Sequence, residues 1–142
     1  MAQAPFTPII VGVGDITNRS LKVEDAKEPL ELILEAINAA VKDTGVPDAQ
    51  QRELQGAIDG VFIVRTWTWP YEDLAGLVAE RLGVTLSWKE VSAHGGNQSV
   101  RGLDDAAKKV AKGEVKVAVV TGGEALASCG SFLHPERNLI GF

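Results

Sequence analysis

The sequence predicts one α/β domain built around a mostly parallel sheet. Short apolar runs alternate with stretches whose apolar residues recur at helical spacing, and the connections between them are short. The expected order, β-α-β-α-β-α-β, places helices on both faces of the sheet through right-handed crossovers. With 142 residues, of which 45% are apolar and 23% charged, the whole chain has the composition of a single globular domain.

Four apolar runs are predicted to be strands. Most are short and rich in β-branched residues, as is typical of strands buried on both faces of a sheet. The predicted strands are residues 8–13, 57–64, 88–93 and 115–121. The third is less uniformly apolar, because it contains Lys89 and Glu90. From about residue 125 onward the sequence shows no clear period, so no element is assigned there.

Three segments between these strands are predicted to be helices with one apolar stripe each. The first begins at Pro29, because proline is tolerated in a first helical turn, and it ends at Gly45. The second runs over residues 74–82, with Gly83 as its stop signal. The third is expected to be capped by Asn97. Its core-facing stripe is predicted to consist of Val100, Leu103, Ala107 and Val110.

Composition argues against several classes of protein and site. The formal net charge is −5 and the charges are spread over the whole length, so no nucleic-acid partner is expected. The chain shows no secretory leader, and no segment approaches the ~20 apolar residues of a membrane span, which indicates a cytoplasmic protein. One cysteine and two histidines supply neither a disulfide framework nor the paired ligands of a zinc site, so no metal is expected.

Gly12 and Gly14 follow the first predicted strand and allow two interpretations. Dinucleotide-binding domains carry a third glycine three residues after the second one, where a helix opens. Here that position is Thr17, and no helix is predicted directly behind it. A tight turn is therefore the favoured interpretation, and no nicotinamide cofactor is expected.

Residues 91–99 are the best chemical candidate, because they contain a strand, a glycine elbow and a helix N-terminus in succession. Backbone N–H groups at such an elbow, backed by the helix dipole, suit an oxyanion, a phosphate or a thioester carbonyl. The predicted ligand-binding residues here are Gly95, Gly96, Asn97 and Gln98. An equally weighted alternative is that the glycines only turn the chain and Asn97 only caps the helix. His94 is either a catalytic general base or a packed core histidine.

Arg65, Trp67 and Trp69 leave the carboxyl end of the second predicted strand. Open α/β sheets place their ligand sites at that edge, so the two tryptophans are candidates for the wall of an apolar pocket. Packing at an interface or under a lid is the favoured alternative, since aromatic residues and arginine are enriched at buried interfaces. Arg65 would then pair either with an anionic ligand or with a carboxylate of a partner.

Cys129 and His134 allow a further hypothesis, hydrolysis through a cysteine nucleophile. Neither residue lies at a recognisable strand-to-helix elbow. A free thiol and a surface histidine are the favoured interpretation, and this hypothesis ranks last.

Several segments together resemble a known family. They are residues 8–15, 28–44, 57–61 and 116–126. Together they are similar to the N-terminal half of a thiolase, especially the acetyl-CoA acetyltransferase branch related to sterol-carrier thiolases. The resemblance covers about residues 8–128, and it is most specific at residues 94–98 and 116–126.

The resemblance implies a site that has lost its nucleophile. In thiolases the elbow before the third helix carries the acyl-accepting cysteine, and this sequence has Gly95 or Gly96 at that position. The second half of a thiolase supplies a histidine within Gly-His-Pro and a second cysteine, and 142 residues leave no room for that half. His134 precedes a proline but follows Leu133 rather than glycine, so the role is not transferred to it.

The resemblance therefore implies a truncated or split thiolase-like protein that binds an acyl-CoA or related carbonyl substrate without an acyl-cysteine. Catalysis itself stays open at this point. An active form would be an acyltransferase-like enzyme for condensation, retro-aldol cleavage or isomerisation, with His94 moving a proton and a CoA thioester as substrate rather than cofactor. The alternative is a non-catalytic scaffold or partner subunit that folds by oligomerising. Thiolases bury their first half against their second half, so a homodimer or a complementary thiolase-half subunit is the expected partner.

Overall fold

The structure of the protein, a computed structural model, describes residues 6–128. The strands are β1 (Ile58–Val64), β2 (Trp88–Val91) and β3 (Val117–Gly122). The helices are α1 (Pro29–Asp43), α2 (Asp48–Gly56), α3 (Leu74–Leu82) and α4 (Gln98–Ala111), with a short 3₁₀ turn at Val23–Asp25. The three strands form one sheet in the order β2-β1-β3, and both neighbouring pairs are parallel.

Helices cover both faces of this sheet. Successive residues of a strand point to opposite faces, and in β1 they meet different helices. Val61 and Ile63 join a buried core with side chains of α1 and α3. Phe62 points the other way and lies against α4 at Gly102. The predicted α/β class, with a parallel sheet between two helical layers, is therefore confirmed.

The second predicted helix is confirmed as α3. The Asp73 side chain caps its start, because one carboxylate oxygen accepts the N–H of Gly76 at 2.9 Å. The Nζ of Lys89 lies 2.5 Å from the other oxygen, and these two contacts hold the pKa of Asp73 below its usual range. Gly83 ends the helix with a φ of 69°, in the left-handed region that favours glycine.

The first predicted strand is wrong, since residues 8–13 belong to no strand in the described part of the chain. More than half of the surface is exposed on Ile9, Ile10, Val11 and Val13. The segment is attached to helices instead. The N–H of Phe6 donates to the carbonyl of Ala111 at 3.0 Å, and the N–H of Val13 donates to Asp43 Oδ2 at 2.9 Å. A β-branched run forms a strand only when another strand is available for pairing.

Close packing explains Gly12 and Gly14, so the tight-turn interpretation is also wrong. Neither residue has a positive φ. A Cβ on Gly12 would lie 2.1 Å from the carbonyl oxygen of Ala40, and one on Gly14 would lie 2.2 Å from that of Ala36. The segment thus passes the backbone of α1 too closely for any side chain.

Helix α2 lies where the sequence predicts a polar connection. It buries none of its residues, so it carries no apolar stripe that periodicity could detect. Pro47 precedes it, and Asp48 in its first turn suits the helix dipole. The Nε2 of Gln51 also donates to the carbonyl of Val46 at 2.8 Å and ties the first turn to the preceding chain.

Helix α4 meets the sheet with other residues than the sequence predicts. Gly102 and Ala106 are its buried residues, whereas Val100 is 70% exposed and Leu103 is 46% exposed. Ala107 and Val110 are only half-buried. The reason is steric, because a Cβ on Gly102 would lie 2.3 Å from the Phe62 ring. The predicted stripe therefore does not face the core.

Candidate functional site

The carboxyl ends of the three parallel strands meet at one edge of the sheet, where open α/β sheets bind ligands. The chain leaves β1 into residues 65–72, β2 into residues 92–97 and β3 into residues 123–124. This strand-end edge therefore brings together both predicted candidate segments, the one that begins at Arg65 and the one that begins at His94.

A buried serine joins the ends of β1 and β2. Ser92 is 0% exposed, and its N–H donates to the carbonyl of Ile63 at 2.9 Å. Its Oγ accepts the N–H of Arg65 at 3.1 Å and donates to the carbonyl of Ala93 at 2.7 Å. The start of the loop after β1 is thus fixed relative to the residue before His94.

The loop of residues 65–70 is held by two further side chains. The Oγ1 of Thr66 donates to the carbonyl of Trp69 at 2.9 Å, which closes the loop on itself. The carboxylate of Glu124 accepts the N–H of Trp67 with one oxygen and the hydroxyl of Thr68 with the other. The loop after β1 is therefore tied to the residue that follows β3.

These connections form a cavity of about 420 Å³ at the strand-end edge. Its lining includes Arg65, Trp67, Trp69, Tyr71, Val91 and His94. The rings of Trp67 and His94 are in contact, with centroids 3.9 Å apart and planes inclined at 42°. Trp67 nevertheless remains 72% exposed, so one side of its ring is free for another planar or apolar group.

Arg65 and Glu72 are the charged residues in the lining of the cavity, and Arg65 is the one that could bind an anion. Its guanidinium makes no hydrogen bond or ion pair with any other residue between 6 and 128, and the residue is exposed. A free guanidinium suits a carboxylate or a phosphate, because its planar fork of donors matches those groups. Ligand binding by Arg65, Trp67 and Trp69 stays a prediction, but their placement at one cavity with His94 is the geometry which that prediction requires.

Tyr71 lines the cavity and connects it to α1. Its hydroxyl donates to Glu28 Oε2 at 2.7 Å and accepts the N–H of Leu30 at 3.2 Å. Burial, together with the hydrogen bond to the Glu28 carboxylate, raises the pKa of Tyr71 well above its ordinary value. The hydroxyl is therefore neutral near pH 7 and acts as a structural donor.

The glycine elbow lies beside the cavity rather than in its wall. Asn97 occupies the N-cap position of α4, but its side chain makes no capping hydrogen bond, which corrects the predicted cap. Its Oδ1 lies 3.4 Å from Gln98 Nε2 instead. Neither Gly95 nor Gly96 has a positive φ, and a Cβ on Gly96 would meet nothing within 4 Å. The turn therefore does not require glycine at residue 96, and the space beside that backbone is open.

The sequence did not single out Glu124, Ser92 or Tyr71 as site residues. Ser92 and Glu124 both follow strands closely, and a polar residue next to a strand end is the signal that points to this edge. Tyr71 gives no such signal, because its partner Glu28 is 43 residues away in the sequence. Cys129 and His134 lie outside the described residues.

Two further searches concern the described residues alone. Residues 6–128 contain no group of three or more histidine, cysteine, aspartate or glutamate side chains placed to hold a metal ion. No helix in this range is long and apolar enough to cross a membrane.

Comparison with known proteins identifies the fold. No protein-family model matches the sequence, and no curated protein matches it. The crystal structure of a monomeric SCP2-thiolase-like protein type 1 from Mycobacterium smegmatis is similar to this chain, with a TM-score of 0.66 and 28% sequence identity. The match covers 82% of this chain and 23% of that protein's chain, so this chain corresponds to less than a quarter of its relative. The resemblance to the thiolase superfamily is thereby confirmed, and the chain has a thiolase-like α/β fold.

Proposed function

We propose that this thiolase-like domain binds an acyl-CoA or a related carbonyl substrate at the strand-end edge, without a cysteine acyl-enzyme. One observation supports this most directly. Arg65, Trp67 and His94, which come from two different strand ends, line one open cavity next to the N-terminus of α4. The cytoplasmic location expected from the sequence is part of this proposal.

Chemistry at this site would depend on polarisation rather than on a covalent intermediate. The elbow carries Gly95 and Gly96, and the chain's single cysteine is Cys129. The N-terminus of α4 provides a positive partial charge beside the open space at Gly96, which would polarise a thioester or ketone carbonyl. His94, exposed at the cavity, would accept or return a proton. Condensation, retro-aldol cleavage and isomerisation are the reactions that fit this arrangement.

Ligand binding predicts a thermal shift with CoA and acetyl-CoA. A ligand that binds only the native state at 100 times its Kd stabilises that state by about 2.7 kcal/mol. We expect Arg65→Ala to weaken binding by about tenfold, because a charge-assisted hydrogen bond to a phosphate or carboxylate is lost. Differential scanning fluorimetry over a millimolar ligand range measures both effects.

Gly96→Ala distinguishes an effect on ligand binding from an effect on stability. The added methyl meets no protein atom within 4 Å, so the free protein should keep its melting temperature while ligand binding weakens. Gly56→Ala is the matched control, because a Cβ there also meets nothing within 4 Å and lies far along the chain in α2. No thermal shift at millimolar ligand, or equal binding by the two glycine variants and the wild type, would contradict a site at the elbow.

A second candidate function is a non-catalytic subunit that folds with a partner. The observation that favours it is exposed apolar surface, on residues 9–13 and on α4 at Val100 and Leu103. Such surface on a small domain marks an interaction site. The partner would be a second copy of the chain or a complementary thiolase-half subunit.

This candidate predicts an oligomer that depends on α4. Light scattering after size exclusion should give a mass of about twice 15.1 kDa for a homodimer. We expect Val100→Lys with Leu103→Lys to shift that mass to the monomer, since two exposed apolar side chains become charged. Val23→Lys, at another exposed valine, is the control that should leave the mass unchanged. A wild-type monomer at all concentrations, able to bind CoA, contradicts the homodimer.

A further inference from the structure

Glu124 connects two parts of the strand-end edge that are far apart in the sequence. It lies two residues after β3, and its two carboxylate oxygens are both used by the loop after β1. One accepts the N–H of Trp67 and the other accepts the hydroxyl of Thr68. Sequence separations of 57 and 56 residues make these contacts tertiary rather than local.

The loop has few other restraints at this point. Its start is fixed by the hydrogen bond from Arg65 to Ser92, and Thr66 bonds only within the loop, to Trp69. Trp67 itself is 72% exposed, and its one described ring contact is with His94. The position of that ring therefore depends on the backbone N–H that Glu124 accepts.

We propose that Glu124 is a positioning residue, which holds the Trp67 ring against His94 and so forms one wall of the cavity. Glu124 does this without lining the cavity itself. Its predicted effect on ligand affinity rests on the proposed function, whereas its effect on the Trp67–His94 contact does not. An experiment can therefore contradict the effect on ligand affinity and still support the effect on the Trp67–His94 contact.

Both oxygens of a carboxylate accept hydrogen bonds, whereas an amide offers one acceptor and one donor group. In Glu124→Gln the amide oxygen can accept the N–H of Trp67 and the amide N–H can donate to the hydroxyl oxygen of Thr68, but without the charge of the carboxylate both hydrogen bonds are weaker. Glu124→Ala removes both, and the N–H of Trp67 and the hydroxyl of Thr68 then bond to water. The contact between Trp67 and His94 should therefore weaken in the order wild type, Glu124→Gln, Glu124→Ala.

Proton NMR of the free protein tests this order, because the chain contains two histidines and His94 is readily assigned. With its ring centroid 3.9 Å from that of Trp67, His94 should show ring protons displaced by the tryptophan ring current. Trp67→Ala gives the reference position without that ring. We expect Glu124→Ala to move the His94 resonances to this reference, Glu124→Gln to move them part of the way, and Glu114→Ala, a matched surface carboxylate, to leave them unchanged.

A His94 shift in Glu124→Ala equal to that of the wild type overturns the proposal. If Glu124→Ala loses the methyl dispersion of a folded protein, Glu124→Asp decides instead, because it keeps the charge but is one methylene shorter, which draws the carboxylate away from the N–H of Trp67. A shift part of the way to the reference supports the proposal, and an unchanged shift overturns it. In the ligand assay, Glu124→Ala should weaken CoA binding about fivefold, as expected for about 1 kcal/mol. Wild-type protein that binds no ligand but shows the ordered shifts would overturn the proposed function and leave the positioning role intact.

Discussion

Phe62→Ala is expected to destabilise the domain by about 3–5 kcal/mol, the usual range for removing a buried phenylalanine ring. Phe62 is 0% exposed and lies in β1, the central strand of the sheet. Its ring supports α4 at Gly102 and lies 6.2 Å from the ring of Trp88. Its loss would leave a cavity between the sheet and the helix whose N-terminus forms the elbow. Urea denaturation followed by circular dichroism measures the change in free energy of unfolding.

A double-mutant cycle with Gly102→Ala makes this prediction specific. Alone, Gly102→Ala should cost about 1–3 kcal/mol, because its Cβ would be 2.3 Å from the Phe62 ring and the helix must move outward. In the Phe62→Ala background the new methyl enters the cavity. The double variant should therefore be more stable than the sum of the single losses by about 0.5–3 kcal/mol.

The control for this cycle is Gly56→Ala in both backgrounds. Unlike a methyl at Gly102, that methyl meets no atom within 4 Å, so its effect should be the same with phenylalanine or alanine at position 62. Additive losses for Gly102→Ala and Phe62→Ala would show that α4 does not rest on this ring.

The same contact explains why sequence periodicity predicted the wrong face of α4. Hydrophobic spacing located the helix, but it assigned Val100 and Leu103 to the core because they are larger and more apolar than Gly102 and Ala106. The deciding factor is the ring of Phe62, which leaves room only for small residues. That ring belongs to β1, so the sequence of α4 alone does not show which of its faces is buried.

The N-terminal run shows a related limit. Its β-branched residues are typical of a strand, yet pairing depends on a neighbouring strand that composition cannot supply. By contrast, the sequence placed Arg65 and Trp67 at the end of one strand and His94 at the end of another, and the structure shows all three lining one cavity. Glu124 and Ser92 act at the same edge through tertiary hydrogen bonds, which spacing along the chain does not reveal.

Tyr71→Phe is expected to cost about 1–3 kcal/mol at pH 7. The hydroxyl accepts the N–H of Leu30 and donates to Glu28, and Leu30 is only 2% exposed. Removing the hydroxyl leaves a donor at the start of α1 without its acceptor, and the cost is the desolvation of that group. Guanidinium denaturation of the two proteins at pH 7 measures the difference.

The pKa of Tyr71 adds a dependence on alkaline pH. Because the pKa is higher in the folded state than in the unfolded one, the folded protein binds more protons above about pH 10. The stabilisation is therefore fully present below the unfolded pKa and is lost as the pH rises towards the folded value. We expect the wild type to lose stability more steeply than Tyr71→Phe above about pH 10.

Tyr71 is the one tyrosine of the chain, so the absorbance of tyrosinate reports on this group alone. In denaturant it should ionise near the ordinary tyrosine pKa of about 10. In the native protein ionisation should begin only at higher pH and should coincide with unfolding, because a charged phenolate next to the Glu28 carboxylate is disfavoured. Identical titration curves in the native and denatured protein would show that Tyr71 is solvated rather than bonded to α1.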